Sequence, residues 1–548
     1  MIASPSNTIG ATWVCHNFPA TLPENELRSG WVTLENNGER TWEPGSFRIH
    51  ASLDGQLVAQ IEIPQIVHPG ERVSVSWIFR TITALGPHEF TFAAVENDGE
   101  SGAGSSEVLR VPVTIAANER TQTAQLRDNV LESHARCWLP CDGISWSSTG
   151  PGYPHFALEA RGCRTTDVEG RQFVDYLMGW GSALLGYADP RIQQAIVAAL
   201  QSGPMITLTH TLMPEVADLL RAFFPSAEAV TFGKNGSDVC TAAVRMARVH
   251  TSRPIVLFCG YHGWQDWYVE RLGFEATGVP TRSEPLLHQF AAGNLEQLRE
   301  LFARYRGQVA AVLLEPAGVL ESLSGPVKEA DADFLQAMID LAHGEGALVI
   351  FDEIITGFRY RGGSVQHATR TRPDLTCLGK ALSAGMPLAA LMGRRDVFDT
   401  SIGRISYEPT FKGEMYSLAA AREALGIYRA EDIPSRIWNF GERLRQTFHH
   451  ACKGAEVAAR LIGPPFRMLV AFDEPNAHRR TLMRTLLQQE LLKAGVLTTK
   501  NLFLPSVAHD DIALDETRAA FDQALQVVAE ASATDRFAAY LEIPALPG

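Results

Sequence analysis

The sequence predicts a multidomain protein: an all-β sandwich, then an α/β body with a mostly parallel sheet and a small α+β domain. Three observations predict it. Residues 1–117 are short runs of period-two alternation broken by turn residues. From about 228 to 395, buried apolar runs alternate with helix-compatible segments, and residues 430–535 read as amphipathic helices around short strands. At 548 residues the chain exceeds one ordinary core, and 45% hydrophobic with 20% charged residues is a soluble globular composition. The net charge of −14 gives no basic footprint for nucleic acid or an anionic membrane, although a local basic pocket for a phosphate stays open. The opening MIASPSNTIGATW has no basic segment ahead of an apolar core, and no long apolar span follows, so a cytoplasmic protein is expected. Of the 8 cysteines only Cys137 and Cys141 lie close together, so reduced thiols and no metal site are expected.

In the first 117 residues, Val73, Val75, Trp77 and Phe79 alternate as a half-buried strand does, and six or seven such runs are separated by Asn36-Asn37-Gly38, Asp54-Gly55 and Asn97-Asp98-Gly99. This implies an antiparallel sandwich. Asn37-Gly38-Glu39-Arg40-Thr41-Trp42 resembles the N-G-x-x-T-W turn of certain Ig-like modules. Trp13, Trp31, Trp42 and Trp77 form either a binding face or, as tryptophans in small sandwiches more often do, part of the core. A polar, helix-compatible linker follows at 118–140. The body spans 141–548, with a large domain at about 176–400 and a small one from 141–175 and 401–548.

Within the body, residues from Ala157 read as a hairpin-rich start and then a helix after Pro190. Next, VTFGKNGSDVCTAAVRMARVH is a strand, a turn and a helix with Val239, Ala243 and Met246 on one face. That helix start can hold a phosphate on free backbone N–H groups and the Ser237 hydroxyl, or Ser237 or Asp238 merely caps it. IVLFCGYHGWQDWY runs from a strand into Tyr261-His262-Gly263, and AAVLLEPAG ends another buried strand at Glu315-Pro316.

The organising stretch is 349–380, VIFDEIITGFRYRGGSVQHATRTRPDLTCLGK. An apolar run from Leu348 to Phe351 fits a strand buried on both faces, which places Asp352 at its carboxyl end, where open α/β sheets bind ligands. A buried carboxylate there needs a cation, and Lys380 follows in a glycine-flanked loop. An aspartate and a lysine around one planar heterocycle point to pyridoxal 5′-phosphate (PLP): the lysine forms a Schiff base and the aspartate keeps the ring nitrogen protonated. DEIITGFR followed by LGKALSAGMPLAA resembles the signature of class III (fold type I) PLP-dependent aminotransferases, most nearly glutamate-1-semialdehyde aminomutase and its relatives, over residues 150–530.

The resemblance implies a role for each remaining motif. D-x-x-G-x-x-x-x-D from Asp167 to Asp175 matches the family's opening, with Trp180 near the substrate or in the core. Gly236 and Ser237 cradle the phosphate, N-G-S-D replacing the usual S-G-T-E. Tyr261 stacks on the cofactor ring and Ile354 packs on its other face, while His262 is a structural residue rather than a proton shuttle. Glu315 contacts the cofactor, a substrate amine or an arginine, or is a structural hydrogen-bonder. Arg359 binds a substrate carboxylate or braces its loop, the second being favoured. Thr410, in EPTFKGE, matches a hydroxyl that reaches the phosphate of the neighbouring subunit, which implies a homodimer.

The activity so implied is transfer of an amino group between a small-molecule amine donor and a ketone or aldehyde acceptor, with Lys380 moving the proton. The aminomutase is the alternative. Against glutamate semialdehyde itself, the family's S-P-V-R-A segment reads Ile144-Ser145-Trp146-Ser147-Ser148 here, without arginine, which opens the pocket to a sugar or a thioester-linked acyl group. The subgroup variants suggest biosynthesis of a polysaccharide or secondary metabolite. A third reading makes the sandwich a carbohydrate- or protein-binding module beside an inactive body.

Overall fold

The computed structural model describes residues 11–116 and 156–542, apart from short segments at 17, 19–20, 24–26, 39, 44–46, 64–65, 81–83, 97–107, 271–277, 281–284 and 318–328. The expected linker at 118–140, Cys137, Cys141, residues 144–148 and the turn at Asn97 lie outside the described residues.

Among the described residues the first unit has eight strands, where the sequence runs indicate six or seven: β1 (Ala11–His16), β2 (Thr21–Pro23), β3 (Leu27–Asn36), β4 (Phe47–Leu53), β5 (Gln56–Glu62), β6 (Arg72–Arg80), β7 (Gly86–Glu96) and β8 (Leu109–Ala116). They form two sheets, β1-β3-β6 and β2-β8-β7-β4-β5, antiparallel except where β2 meets β8. Val32, Leu34, Val73 and Val75 from one sheet and Ile49, Phe90, Phe92 and Val113 from the other share one core, as two apolar faces must. Trp42 is buried in that core and Trp13 packs against it; the side chains of Trp31 and Trp77 lie outside the described set. The Asn36 amide, fully buried, donates to Arg40 O (2.8 Å) and Val67 O (2.9 Å), so this asparagine closes the loop that carries Trp42.

In the body, β9 (Ala157–Arg161), β10 (Arg164–Asp167) and β11 (Gln172–Asp175) make the leading hairpins. The large sheet comprises β12 (Ala229–Gly233), β13 (Ile255–Cys259), β14 (Leu287–Gln289), β15 (Val309–Leu314), β16 (Leu348–Asp352), β17 (Leu375–Leu378) and β18 (Ala389–Gly393), in the order β12-β18-β17-β16-β15-β13-β14. Among the described residues β18 alone runs against the direction of the other six strands. Alternate residues enter two cores: Leu257, Val312, Val349 and Phe351 face one side, and Val256, Leu313, Ile350 and Cys377 face the other. Both faces are therefore covered, which is why these strands read as unbroken apolar runs.

Strands β19 (Ala459–Ile462), β20 (Met468–Phe472), β21 (Val496–Leu497) and β22 (Leu502–Phe503) lie among the helices Ile433–Gly454, Ala477–Lys493 and Asp511–Thr534. Their core also takes Val174, Tyr176 and Met178 from the leading hairpins, β11 pairs with β21, and Tyr176 OH lies 2.8 Å from Thr517 Oγ1, 341 positions away. The helix Met415–Ala430, by contrast, contributes Met415, Leu418 and Leu425 to the core on the large sheet. Among the described residues no helix is long and apolar enough to cross a membrane.

Candidate active site

Asp352 ends β16, so the strand carries its carboxylate to the carboxyl edge of the sheet, where it is 3% exposed. Such burial is costly unless hydrogen bonds replace water. Oδ1 accepts from the Ile354 N–H (3.1 Å), while Oδ2 lies 2.8 Å from His262 Nδ1 and 3.6 Å from Cys240 Sγ. His262, also buried, places Nε2 3.2 Å from Cys259 O.

Lys380 follows β17 directly after Gly379 and takes φ = +47°, a left-handed conformation that a side chain adopts only when its surroundings impose it. Burial pushes its amine down to about 8; Arg467 and Arg359 act in the same direction, and Glu315 and Asp352 oppose them. Electrostatically, therefore, the lysine sits among Asp352, Glu315 and two guanidinium groups.

Helix α1 (Gly236–Thr251) begins with Asn235 as its N-cap residue. The Asp238 carboxylate accepts from the Asn235 (2.9 Å) and Lys234 (3.2 Å) N–H groups, so Asp238 ties down the loop while Gly236 and Ser237 lead the first turn. A Cβ on Gly236 would collide with the Ile354 side chain, so glycine permits the phosphate-type helix start to abut the Asp352 strand. The loop is held from the other side by Lys234 Nζ, which donates to Pro387 O (2.9 Å) and to Glu414.

Glu315 is 4% exposed. It accepts from the Tyr261 N–H (3.0 Å) and from Arg467 Nη1 (2.6 Å), so of the partners expected for it, the structure supplies an arginine. Tyr261 itself is 56% exposed and meets Tyr268 edge-on at 5.8 Å. Among the described residues Arg359 donates to backbone carbonyls only: Nη1 to Ile355 O (2.8 Å) and Nη2 to Gly181 O, and burial lowers its pKa to about 10. These contacts tie Gly181 to the loop that follows Asp352. Met178, Gly179, Trp180 and Gly181 are four consecutive residues with φ between +48° and +80°, held at their start by Asp175 Oδ1, which accepts from the Leu177 and Met178 N–H groups (2.7 and 3.0 Å). Trp180 is 38% exposed and so is displayed by this strained loop rather than buried in the core.

The geometry thus gathers Gly236, Ser237, Tyr261, Glu315, Asp352, Ile354, Arg359 and Lys380, with the Trp180 loop reaching them through Gly181. Thr410 is exposed in its turn and joins none of them within one chain. Sequence reasoning missed Arg467, Cys240, Cys377, Lys234 and Glu414. A lone arginine entering the apolar run FRMLVAF was the available signal for Arg467, whereas the others show no pattern in one dimension.

These groups fit PLP: a helix start that a Cβ would block, an amine of lowered basicity, and a hydrogen-bonded carboxylate at the end of the neighbouring strand. The comparisons agree. The sequence model described as aminotransferase class-III matches residues 148–525. The chain is 33% identical over 405 residues to the glutamate-1-semialdehyde 2,1-aminomutase of Desulforudis audaxviator (strain MP104C), covering 68% of this chain and 91% of that protein. It is 27% identical over 348 residues to the 3-aminobutyryl-CoA aminotransferase of Cloacimonas acidaminovorans (strain Evry), covering 63% and 83%. Among solved structures, an omega-transaminase from Sphaerobacter thermophilus aligns with TM-score 0.65 at 23% identity over 73% of this chain and 97% of that one, a likeness of fold. A β-phenylalanine aminotransferase from Variovorax paradoxus aligns with TM-score 0.64 at 25% identity over 75% and 95%. On this footing the chain belongs to the class-III aminotransferases, and its cofactor is pyridoxal 5′-phosphate.

Proposed function

We propose that the protein is an aminotransferase that moves an amino group between a small-molecule amine and a ketone or aldehyde, with Lys380 as the proton-transfer residue. The observation that carries this reading is the Lys380 amine, lowered to about 8 and placed within electrostatic reach of Asp352. When bound, PLP supplies an electron sink for the substrate carbon that loses its proton. The chain supplies the rest. Gly236 and Ser237 offer N–H groups and a hydroxyl to the phosphate at the positive end of α1. Asp352 holds a proton at the ring nitrogen. Tyr261 and Ile354 flank the ring. Lys380 Nζ, neutral in a useful fraction near pH 8, takes the proton from the substrate carbon and returns it one position away. Glu315 and Arg467 neutralise each other at the wall, Arg359 fixes the floor by its carbonyl contacts, and Trp180 faces the incoming substrate.

In this proposal the chain divides into an Ig-like sandwich at 1–117, a linker, and a body whose small domain combines residues 141–175 with the C-terminal part. The shared core of the leading hairpins and the last helices supports the second division. The working unit is a homodimer in which Thr410 serves the partner's phosphate; its exposure in one chain supports that placement.

An intramolecular amine shift is the second reading, favoured by the 33% identity to an aminomutase. Both readings are tested by the visible absorbance of the purified holoprotein as candidate amines are added. A band absent from Lys380→Ala that one amine converts to the pyridoxamine form supports transfer. A band that no donor converts while the substrate isomerises supports the mutase, and no band after added PLP overturns both.

A further inference from the structure

Two thiols that the reaction does not use lie directly against Asp352. Cys377 on β17 is its register partner on β16, and the Cys377 carbonyl accepts from the Glu353 N–H (2.9 Å), so the backbone fixes this neighbour. Cys240, in the second turn of α1, points its sulfur at Asp352 Oδ2 from 3.6 Å, and Cys377 is close enough for each thiol to shift the other's pKa. Both side chains are fully buried. One S–H cannot serve two acceptors, and the carboxylate is the stronger. Cys240 therefore directs its one proton to Asp352, with Cys377 beside it.

We propose that Cys240, backed by Cys377, is a positioning residue for Asp352: its thiol and His262 together fix the carboxylate oxygen that serves the cofactor's ring nitrogen. A thiol suits this place. It is compact enough for the seam between α1 and the sheet, and its pKa is raised, by the neighbouring Cys377 thiol first and by burial second, so the donor stays protonated across working pH. The competing explanation is that two small apolar side chains simply fill the seam.

The inference rests on Asp352 serving the cofactor ring. An Asp352→Asn variant that binds PLP and absorbs as the wild type does would overturn that premise separately. The test uses the full chain, stripped of cofactor and titrated with PLP, in Cys240→Val, Cys240→Ala, Cys240→Ser and Cys377→Val forms. Losing a donor to a charged acceptor should weaken PLP binding by about three- to tenfold in the valine and alanine variants. It should also shift the pH midpoint of the visible band. Cys240→Ser, which keeps a donor, should stay within about twofold of wild type, and Cys377→Val should move both readouts less, in the same direction. Space-filling predicts the opposite order, with valine tolerated and serine damaging. Wild-type affinity and midpoint in Cys240→Val, or in Cys240→Ala should valine not fold, overturns the proposal, as does a serine variant no better than valine.

Discussion

Replacing Lys380 with methionine should stabilise the cofactor-free protein at neutral pH. The folded state holds this amine at about 8 rather than 10.5, so protonated Lys380 opposes folding. At 1.36 kcal/mol per tenfold change in proton affinity, that opposition is as much as about 3 kcal/mol. The sign follows from the direction of the shift: a lysine depressed by folding destabilises fully below its folded value, and the effect fades as pH rises toward the unfolded one. Lys380→Met keeps most of the volume and removes the charge. Urea unfolding of both apoproteins, followed by fluorescence, should therefore show a variant more stable by about 3 kcal/mol at pH 7, the gap shrinking to about half by pH 9.5. A gap independent of pH, or a wild type more stable than the variant at pH 7, would refute the reasoning. It would mean that Lys380 meets no desolvation, and the neutral base would lose its physical origin.

Arg467→Met leaves the Glu315 carboxylate buried without its cation and should lower stability by about 3–5 kcal/mol in thermal melts. Adding Glu315→Gln should recover most of that; a double variant as unstable as the single one would show that the pair is not the cause. Glu353, fully buried and pushed up to about 7 by burial, binds its proton more tightly when folded, so stability falls as pH rises from about 4.5 to 7, by roughly 3 kcal/mol in all. Glu353→Gln should therefore gain on wild type between pH 5 and pH 8, and parallel pH–stability curves for the two would refute this. Thr410→Ala should weaken PLP binding by about three- to tenfold if its hydroxyl completes the partner's site, and unchanged affinity at protein concentrations that keep the dimer intact would remove it from that role.

Much of the site was legible because sheet physics is one-dimensional there. An apolar run buried on both faces can only deliver its next polar residue to the strand end, and this places Asp352; a glycine-flanked lysine just beyond another such run places Lys380. The helix at Gly236 was readable for the same reason, since Asn235 through Asp238 carry start signals that precede an amphipathic repeat. What stayed hidden depends on convergence. Arg467 reaches Glu315 across 152 positions, and Cys240 reaches Asp352 across 112, with no local pattern to announce either. The left-handed run at Trp180 was half-visible in its flanking glycines, but the exposure of the ring depends on how Asp175 closes the loop. In the sandwich, alternation predicted strands well, while the short β2 lacked enough residues to show a period.

The pairing of β11 with β21 has a consequence for how this chain is made. Synthesis proceeds from the N-terminus, so the strands that share the first core leave the ribosome together. The hairpins after residue 156 leave ahead of their core partners. Their apolar side, Val174 to Met178, waits for the helices Ile433–Gly454, Ala477–Lys493 and Asp511–Thr534, the last of which carries Thr517, 341 positions after Tyr176. For that interval the growing chain presents an open strand edge and uncovered apolar side chains, with the large sheet assembling in between. A chain released early, before Val496, would be left with that edge unpaired, and its fate would be aggregation or proteolysis rather than a smaller working enzyme.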